Sequence, residues 1–395
     1  MNESTTPITN AASSRQTTPS SQATPVTNAT PVTSATPSTQ STPISVCIIT
    51  KNECDTLRQC LTCLKPYADA GKHEIVVVDT GSTDNTVEMC KEFTDKIYYF
   101  EWINDFSAAR NYAAEKASHD WILCIDSDEF VTEWDEKSVQ AFASSSTNTI
   151  GNLLLKNTCG SGSVQYESIS KLPRIYNKTI YHFLQPVHEQ LFPYANTRRI
   201  FSDIEIQLDH HSYAGTPQEL RKKSKRNIDL LMKEYNKNPH NPYILFQLGQ
   251  SYYMIEDFET ANYYYSLGLA EDVNPDLDYV RTMVVSYGYT LINLKQYQKA
   301  LELEGLYETF GDRADFVFLM GIIYLNNALF DEAIAQFERA TTFKTAEVVG
   351  ANSFRAWYNI GVIYECASMK KNAIEYYQKC GDYAPAQKRL TIINN

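Results

Sequence analysis

Two aspartates separated by one residue, Asp126 and Asp128, carry the clearest chemistry in this sequence. They follow the short apolar run from Trp121 to Ile125, which has the character of a buried strand in a parallel sheet. Ligands of open α/β sheets bind at the carboxyl ends of the strands. Two carboxylates at that position suit a hard divalent cation, and such a cation suits a diphosphate leaving group. The alternative is an acidic strand exit that holds no metal.

The segments around this pair alternate between apolar runs and amphipathic stretches. Strands are expected at 44–50, 74–79, 96–102 and 121–126, with later strands at 151–157, 170–177 and 200–209. Helices are expected at 55–66, 84–94 and 107–116, with Asp84 or Thr83 as a helix cap. This order predicts an α/β domain whose parallel strands are joined by right-handed crossovers.

The C-terminal part contains a repeat of small residues. Four glycines each precede an alanine by twelve residues: Gly249 and Ala261, Gly288 and Ala300, Gly321 and Ala333, Gly361 and Ala373. With the aromatic residues around them, they resemble the tetratricopeptide pattern, in which small residues let two helices cross closely. Single units cannot bury their own faces, so the repeats must stack. We expect a linker helix at 216–240 and an all-α solenoid at 241–395.

The N-terminal residues 1–43 consist almost entirely of Ser, Thr, Pro, Ala, Gln and Asn. They cannot bury enough apolar area to offset chain entropy, so we expect disorder. Thr-Pro recurs every six residues from Thr18-Pro19 to Thr42-Pro43. This composition resembles O-glycosylated stalks, and the alternative is a neutral, extended tether.

The overall charge and the cysteines limit the classes of partner and the cellular compartment that we expect. A net charge of −12 argues against nucleic acid as the main partner. The basic run at 221–226 is expected to be the solvated face of a helix, with an anionic acceptor or membrane surface as the alternative. Nine unpatterned cysteines indicate a reducing cytoplasm. No apolar run approaches the roughly 20 residues of a membrane span, and we expect no signal peptide.

Three runs in the alternating region carry a resemblance to a known family. They are ISVCIITKNE at 44–53, IVVVDTGSTDNT at 75–86 and FSAARNYA at 106–113. Together with the aspartate pair, they resemble a family-2 glycosyltransferase of the GT-A fold, which would span 44–215. The later runs RIYN, PVHEQL and DHHSY resemble the subgroup that carries C-terminal tetratricopeptide repeats and includes enzymes that glycosylate peptides.

The resemblance implies a nucleotide-sugar site. Its expected contacts are Thr50, Asn52, Glu53, Asp79, Arg110 and Asp126. Asp79 would meet the ribose or base, and Arg110 would point toward the donor, since a guanidinium can bind phosphate oxygens. A salt bridge from Arg110 to Asp79 or Asp126 that only orders this edge is the alternative.

The resemblance also implies a metal, Mn²⁺ or Mg²⁺, held by Asp128 and a late histidine. His210 is the candidate, and His211 is its alternative because Ser212 replaces the glycine of the subgroup's H-x-G-Y run. The transfer would invert the anomeric centre and requires a base. Glu189 is the candidate for that base, unless it only pairs with Arg174 or Arg198; Glu129 and Asp105 are the alternatives.

The expected substrates follow from the same resemblance. The donor would be a nucleotide sugar carrying a hexose or N-acetylhexosamine, with UDP favoured and dTDP or GDP left open. The acceptor would be Ser, Thr or Cys of a peptide or protein engaged by the repeats, and could include the chain's own Thr-Pro tail. The alternatives are a cell-envelope glycan or lipid-linked acceptor, or a non-catalytic scaffold. The repeats are also compatible with a homodimer.

Overall fold

The computed structural model describes residues 42–145, 148–161, 164–210 and 217–394. These residues lie in one compact unit, Ser41–Asn395. The predictions for the N-terminal tail and for His211 concern residues outside the described ranges. Within those ranges, none of the helices is both long and apolar enough to cross a membrane.

Four parallel strands form the first half of the main sheet. They are β1 Ser45–Thr50, β2 Glu74–Asp79, β3 Ile97–Tyr99 and β4 Trp121–Asp126, in the spatial order β3-β2-β1-β4. The crossovers contain α1 Cys54–Gly71, α2 Thr86–Cys90 and α3 Phe106–Lys116. The register places Thr50 beside Asp79 and Ile49 beside Asp126, so the three strand ends meet at one edge. The predicted α/β fold is confirmed here.

The first two helices differ in length from their predictions. Helix α1 continues past Pro66 to Gly71, because its buried face, which includes Leu64 and Ala68, packs against the sheet. Helix α2 is shorter than predicted and ends at Cys90. Thr94 then donates its hydroxyl to the carbonyl of Ile75 at 2.7 Å, which turns the chain toward β3.

The second half of the sheet is mixed. Its strands are β5 Glu129–Trp134, β6 Thr149–Ser161, β7 Val164–Asn177 and β10 Ile200–His210, and the described sheet has the order β3-β2-β1-β4-β7-β6-β10-β5. β7 runs antiparallel to both β4 and β6. β10 is parallel to β6 and antiparallel to β5. The expected parallel strands therefore make up the first half, whereas the second half combines the parallel pair of β6 and β10 with antiparallel pairs.

Four elements between β4 and β10 were not predicted. They are β5, the helix α4 Glu136–Ser145, and the hairpin strands β8 Tyr181–Leu184 and β9 Gln190–Pro193. The hairpin strands have only four residues each, which is too short for a periodic pattern to show. β5 follows directly on the acidic run after β4, where the sequence suggested a loop.

Alternate residues of the central strand face two separate cores. Val46 and Ile48 pack in the core that contains Leu57 of α1, whereas Cys47 packs in the core that contains Ala113 of α3. A strand that is buried on both faces reads as a continuous apolar run. This explains why β1 lacks polar alternation.

From Pro217 to Asn394 the described chain is helical. The helices are α5 Pro217–Lys237, α6 Pro242–Met254, α7 Phe258–Ala270, α8 Asp278–Asn293, α9 Tyr297–Ala300, α10 Tyr307–Phe310, α11 Ala314–Asn326, α12 Phe330–Ala340, α13 Phe354–Cys366, α14 Lys370–Lys379 and α15 Ala384–Asn394. A 3₁₀ helix, Leu301–Leu306, lies between α9 and α10. The second repeat is therefore the irregular one.

The small residues of the repeat lie where the helices cross. Each of the four alanines is fully buried: Ala261, Ala300, Ala333 and Ala373. A Cβ on Gly249, Gly321 or Gly361 would lie within 2.7 Å of the aromatic ring that packs there, which belongs to Tyr265, Phe337 or Tyr377 respectively. The predicted reason for the glycines, close helix crossing, is confirmed.

The hairpin of β6 and β7 also contacts the repeats. The amide of Ile169 donates to the carbonyl of Glu347 at 2.9 Å, and the amide of Val349 donates to the carbonyl of Glu167 at 2.9 Å. Asp315 of α11 fixes this segment, because its carboxylate accepts the amides of Glu347 and Val348 at 2.8 Å each. The transferase-like half and the solenoid are thus joined by backbone hydrogen bonds.

Substituting Gly321 with alanine tests the helix crossing. The new Cβ would lie 2.7 Å from the ring of Phe337, so we expect a loss of about 1–3 kcal/mol in the free energy of unfolding. Gly305→Ala is the matched control, because no atom lies within 4 Å of its added Cβ, and it should be neutral or slightly stabilising. Urea denaturation measures both. Equal stability of the two variants would contradict the packing argument.

Substituting Asp315 with alanine tests the junction between the hairpin and the repeats. The amides of Glu347 and Val348 would lose a charged acceptor, a contribution of about 1.5–3 kcal/mol for a hydrogen bond to a charged group. Hydrogen exchange at Ile169 and Val349 should therefore accelerate at least roughly tenfold. Asp312→Ala, with a side chain that is 72% exposed, is the control and should leave exchange unchanged.

Candidate functional site

The carboxyl ends of β1, β2 and β4 place the predicted polar residues along one edge of the sheet. Thr50 ends β1, Asp79 ends β2 and Asp126 ends β4. The parallel pairing of these strands brings the three positions side by side. Arg110 approaches this edge from α3, and His210 approaches it from the end of β10.

Two buried guanidinium groups organise the centre of the site. Arg110 donates from Nη2 to Oδ1 of Asp126 at 2.6 Å, and Arg174 donates from Nη2 to the other oxygen, Oδ2, at 2.9 Å. Arg174 also contacts Oε1 of Glu129 at 2.6 Å, and Nε of Arg110 donates to Glu189. The side chains of the two arginines are only 6% and 12% exposed, so both cations are largely shielded from water where they bind the three carboxylates.

The charges of this cluster follow from its contacts. Burial alone would raise the pKa of Asp126, but Arg110 and Arg174 hold that pKa far below its usual range. Burial raises the pKa of Glu129, and Arg174 offsets only part of that effect. Both arginines stay charged, because the carboxylates raise their pKa values despite burial. The two arginines therefore favour the ionised form of Asp126.

Asp128 lies outside the arginine cluster and has its own partners. Its Oδ2 is 3.4 Å from Nε2 of His210 and 3.5 Å from Nζ of Lys223 in α5. Burial would raise the pKa of Asp128, but His210 and Lys223 lower it below its usual value. Nδ1 of His210 lies 2.9 Å from Oδ1 of Asn157, and this contact directs Nε2 toward Asp128.

The pair of Asp128 and His210 fits a divalent cation. Neighbouring ligands of an octahedral Mn²⁺ or Mg²⁺ lie roughly 3 Å apart, close to the separation of Oδ2 and Nε2. A carboxylate oxygen and an imidazole nitrogen form a donor set that Mn²⁺ accepts. Among the described residues no group of three His, Cys, Asp or Glu side chains forms a metal site. Asp128 and His210 would provide two of the ligands, with phosphate or water as further ones.

Asp79 shapes the loop after β2. Its carboxylate accepts the amides of Gly81 at 3.0 Å and of Ser82 at 3.1 Å, and the residue is 3% exposed. Gly81 has a φ of +102°, which favours glycine at this turn. Asp84 accepts the amide of Thr86 at 3.0 Å, but Asn85 occupies the N-cap of α2 and makes no side-chain capping bond, so the predicted cap at Asp84 or Thr83 is wrong.

The loops after β1 and β2 are tied together. Asn52, with a φ of +55°, accepts the amide of Thr83 on its side-chain oxygen at 2.7 Å. The amide of Glu53 donates to the hydroxyl of Thr86 at 3.0 Å. Thr50 differs from both, because its buried hydroxyl has no partner among the described residues. An enclosed hydroxyl without a partner is unusual in a folded protein, which marks Thr50 as a candidate ligand contact at this edge.

The loop that carries Glu189 rests on the first helices of the solenoid. Val187 is 3% exposed and packs with Leu231 of α5 and Ile244 of α6. Its neighbour His188 has a φ of +52°, and burial lowers its pKa to about 4. A non-glycine residue with positive φ persists only when its surroundings hold it. The solenoid therefore fixes the loop that brings Glu189 to Arg110.

One pairing differs from those considered from the sequence, and the contacts of two residues were missed. Glu189 pairs with Arg110, whereas the alternative to its role as a base was a salt bridge to Arg174 or Arg198. Of the two acids expected near Arg110, the one it binds is Asp126. Arg174 was considered only as a possible partner of Glu189, and its contacts with Asp126 and Glu129 were not predicted. Lys223 belongs to the basic run interpreted as solvated, and no local pattern distinguishes it from its neighbours.

Comparisons with known proteins bear on this arrangement. Residues 45–205 match the Glycosyl transferase family 2 model, and residues 354–387 match the Tetratricopeptide repeat model. A TPR repeat-containing protein of Synechococcus elongatus is 28% identical over 237 residues, covering 58% of this chain and 57% of the relative. The SPbeta prophage-derived glycosyltransferase SunS of Bacillus subtilis is 29% identical over 220 residues, covering 54% and 50%. The chain thus spans about half the length of these relatives.

Among solved structures, the TPR protein YrrB overlaps the chain at 21% identity and a TM-score of 0.35. The overlap covers 42% of this chain and 79% of that one. The two family matches confirm the recognition made from the strand motifs and from the glycine and alanine spacing.

Substituting Arg174 with methionine tests the arginine cluster. Asp126 and Glu129 would lose a buried cation, so we expect a loss of about 3–5 kcal/mol in the free energy of unfolding near neutral pH. Burial already raises the pKa of Glu129, and in the variant it would rise further. The folded variant would then bind a proton more tightly than the unfolded chain, so its stability should increase from about pH 7 to about pH 5.

Arg198→Met is the matched control, because Arg198 is exposed. Urea denaturation at both pH values measures the effect. A deficit in Arg174→Met that is small, or that does not shrink as the pH falls, would contradict the assigned electrostatics.

Proposed function

We propose, from the premise that residues 45–205 form a glycosyl transferase family 2 domain followed by tetratricopeptide repeats, that this protein is a metal-dependent, inverting glycosyltransferase. It moves a hexose or N-acetylhexosamine from a nucleotide sugar, with UDP favoured, to a peptide or protein. The observation that carries the proposal is that two carboxylates at one strand end have different partners. Asp126 is neutralised by two arginines, whereas Asp128 faces His210 and Lys223.

Asp128 and His210 would hold Mn²⁺ or Mg²⁺. Such an ion, when bound, stabilises negative charge on a leaving diphosphate. Thr50 offers its unpaired hydroxyl to the nucleotide, with Asn52, Glu53 and Asp79 shaping the surrounding loops.

Arg110 contributes a further donor to the nucleotide sugar. Its Nη1 is buried and has no partner among the described residues, while Nε and Nη2 are bound by Glu189 and Asp126. A guanidinium fixed on two sides is well oriented to donate a third hydrogen bond.

Glu189 is the best placed of the three candidates for the base. Glu129 is 2% exposed, and its two oxygens already contact Arg174 and the amide of Asp126. Asp105 caps α3 by accepting the amide of Ala108 at 2.9 Å. Glu189 uses only Oε1 for Arg110, which leaves Oε2 to accept the acceptor's proton.

The repeats support a peptide or protein acceptor bearing Ser, Thr or Cys. Tetratricopeptide stacks present surfaces that suit extended chains. An aromatic group lies on the first helices: the ring of Tyr264 contacts those of Tyr235, Tyr252 and Tyr263 at 5.2–5.7 Å, and Tyr263 is 54% exposed. An exposed tyrosine such as Tyr263 gives amphipathic contact area to a bound chain.

Donor hydrolysis is the experiment that tests the activity and identifies the donor. UDP-, dTDP- and GDP-sugars would be incubated with the protein and Mn²⁺ or Mg²⁺, and chelated samples would serve as controls. We expect release of one nucleoside diphosphate, and its loss on chelation. Intact mass spectrometry of the same mixtures would show whether residues of the Thr-Pro tail gain sugar. No hydrolysis of any donor would overturn the proposed activity.

Substituting Asp128 with asparagine tests the metal assignment. We expect turnover to fall by roughly 10²–10⁴-fold, because a carboxylate that anchors the cation becomes a neutral amide. The thermal midpoint should stay within a few degrees of the wild-type value, since Asp128 lies outside the arginine cluster. Asp382→Asn, at an exposed position in the last repeat, is the matched control. Full activity of Asp128→Asn would contradict the assignment.

A further inference from the structure

Helix α5 lies outside the matched transferase domain, yet one of its lysines reaches the site. Nζ of Lys223 is 3.5 Å from Oδ2 of Asp128, and the side chain is 45% exposed. This separation exceeds the 2.7–3.2 Å of a direct N–H···O bond, so the contact of Lys223 with Asp128 is a charge attraction rather than a tight hydrogen bond. Ion pairs this exposed are weak, so the lysine can change partner at little cost.

The edge of the sheet where the carboxyl ends of β1, β2 and β4 meet is rich in acidic side chains, so a lysine there can affect the binding of an anion. Six carboxylates lie there: Glu53, Asp79, Asp126, Asp128, Glu129 and Glu189. The two buried arginines are bound by three of these acids. A diphosphate that enters this edge adds at least two further negative charges, which one divalent ion would only offset, so an additional cation favours its binding.

Helix α5 supplies such cations on the face that approaches Asp128. Lys223 lowers the pKa values of both Asp128 and Glu53, although burial and other contacts outweigh this effect at Glu53. Arg226, one turn further along, lies with its guanidinium 5.1 Å from the ring centre of Phe106. Lys225 lies about 200° around the helix from Lys223 and is exposed, so it belongs to a different face.

We propose that Lys223 binds the diphosphate of the nucleotide-sugar donor. In the protein without donor its ammonium neutralises Asp128, and with donor present it transfers to the diphosphate oxygens. An ammonium on a flexible stem, with three donors, suits this exchange of anions. This inference rests on the proposed function, and it assigns a donor contact to a helix that the transferase domain itself does not contain.

Calorimetry with UDP, UMP and uridine tests the inference on the full chain, with Mn²⁺ and with chelator. Lys223→Gln should bind UDP roughly tenfold more weakly in both conditions, the loss expected for one hydrogen bond between charged groups. UMP should be affected less and uridine not at all. Lys223→Arg should retain most of the affinity, and Lys225→Gln should match the wild type.

The outcomes separate the two proposals. Wild-type binding of UDP together with equal binding by Lys223→Gln overturns the inference and leaves the proposed function intact. A loss of affinity for uridine equal to that for UDP also overturns it, because the defect would then be structural. Were UDP not bound, GDP with guanosine and dTDP with thymidine would be the next probes. Failure of the wild type to bind any of them would overturn both proposals.

Discussion

Two guanidinium groups in a water-poor environment determine how this site is built. Arg110 and Arg174 each bind an oxygen of Asp126, and each also binds a glutamate. Buried carboxylates without these partners would be strongly unfavourable or would take up protons. Because the arginines come from α3 and β7, and the acids from β4, β5 and the loop before β9, the cluster links five segments of the chain. The geometry of the strand end, and therefore the direction of Asp128, depends on this cluster.

The solenoid takes part in the site as well as in any contact with an acceptor. Its first helices enclose Val187, which fixes the loop that carries Glu189, and α5 brings Lys223 to Asp128. The hairpin of β6 and β7 forms a second junction with the segment around Val348. The two halves therefore share a hydrophobic cluster and backbone hydrogen bonds. If the solenoid served only to hold an acceptor near the site, neither the cluster around Val187 nor the hydrogen bonds around Val348 would be needed.

The sequence predicts the regular parts of this molecule and not its long-range pairings. Strands β1, β2 and β4 and the repeat glycines follow local patterns, because an apolar run or a fixed spacing is imposed by neighbours in the chain. The partners of Arg174 and Glu189 lie 48 and 79 residues away, so no spacing encodes them. Lys223 resembles any other lysine in a basic helix, and only the tertiary fold brings it within 3.5 Å of Asp128. The mixed half of the sheet was missed for the same reason, since antiparallel pairing depends on distant strands.

A crystal structure of the protein with Mn²⁺ and the nucleoside diphosphate that it binds would test the central claim most directly. That claim is that the arginine cluster holds Asp126 and leaves Asp128 to anchor a cation. The account predicts anomalous density for manganese bonded to Asp128 and His210, with the diphosphate next to it and the contacts of Arg110 and Arg174 to Asp126 intact. A nucleotide bound away from the ends of β1, β2 and β4, or manganese bonded to Asp126 in place of its arginines, would contradict it.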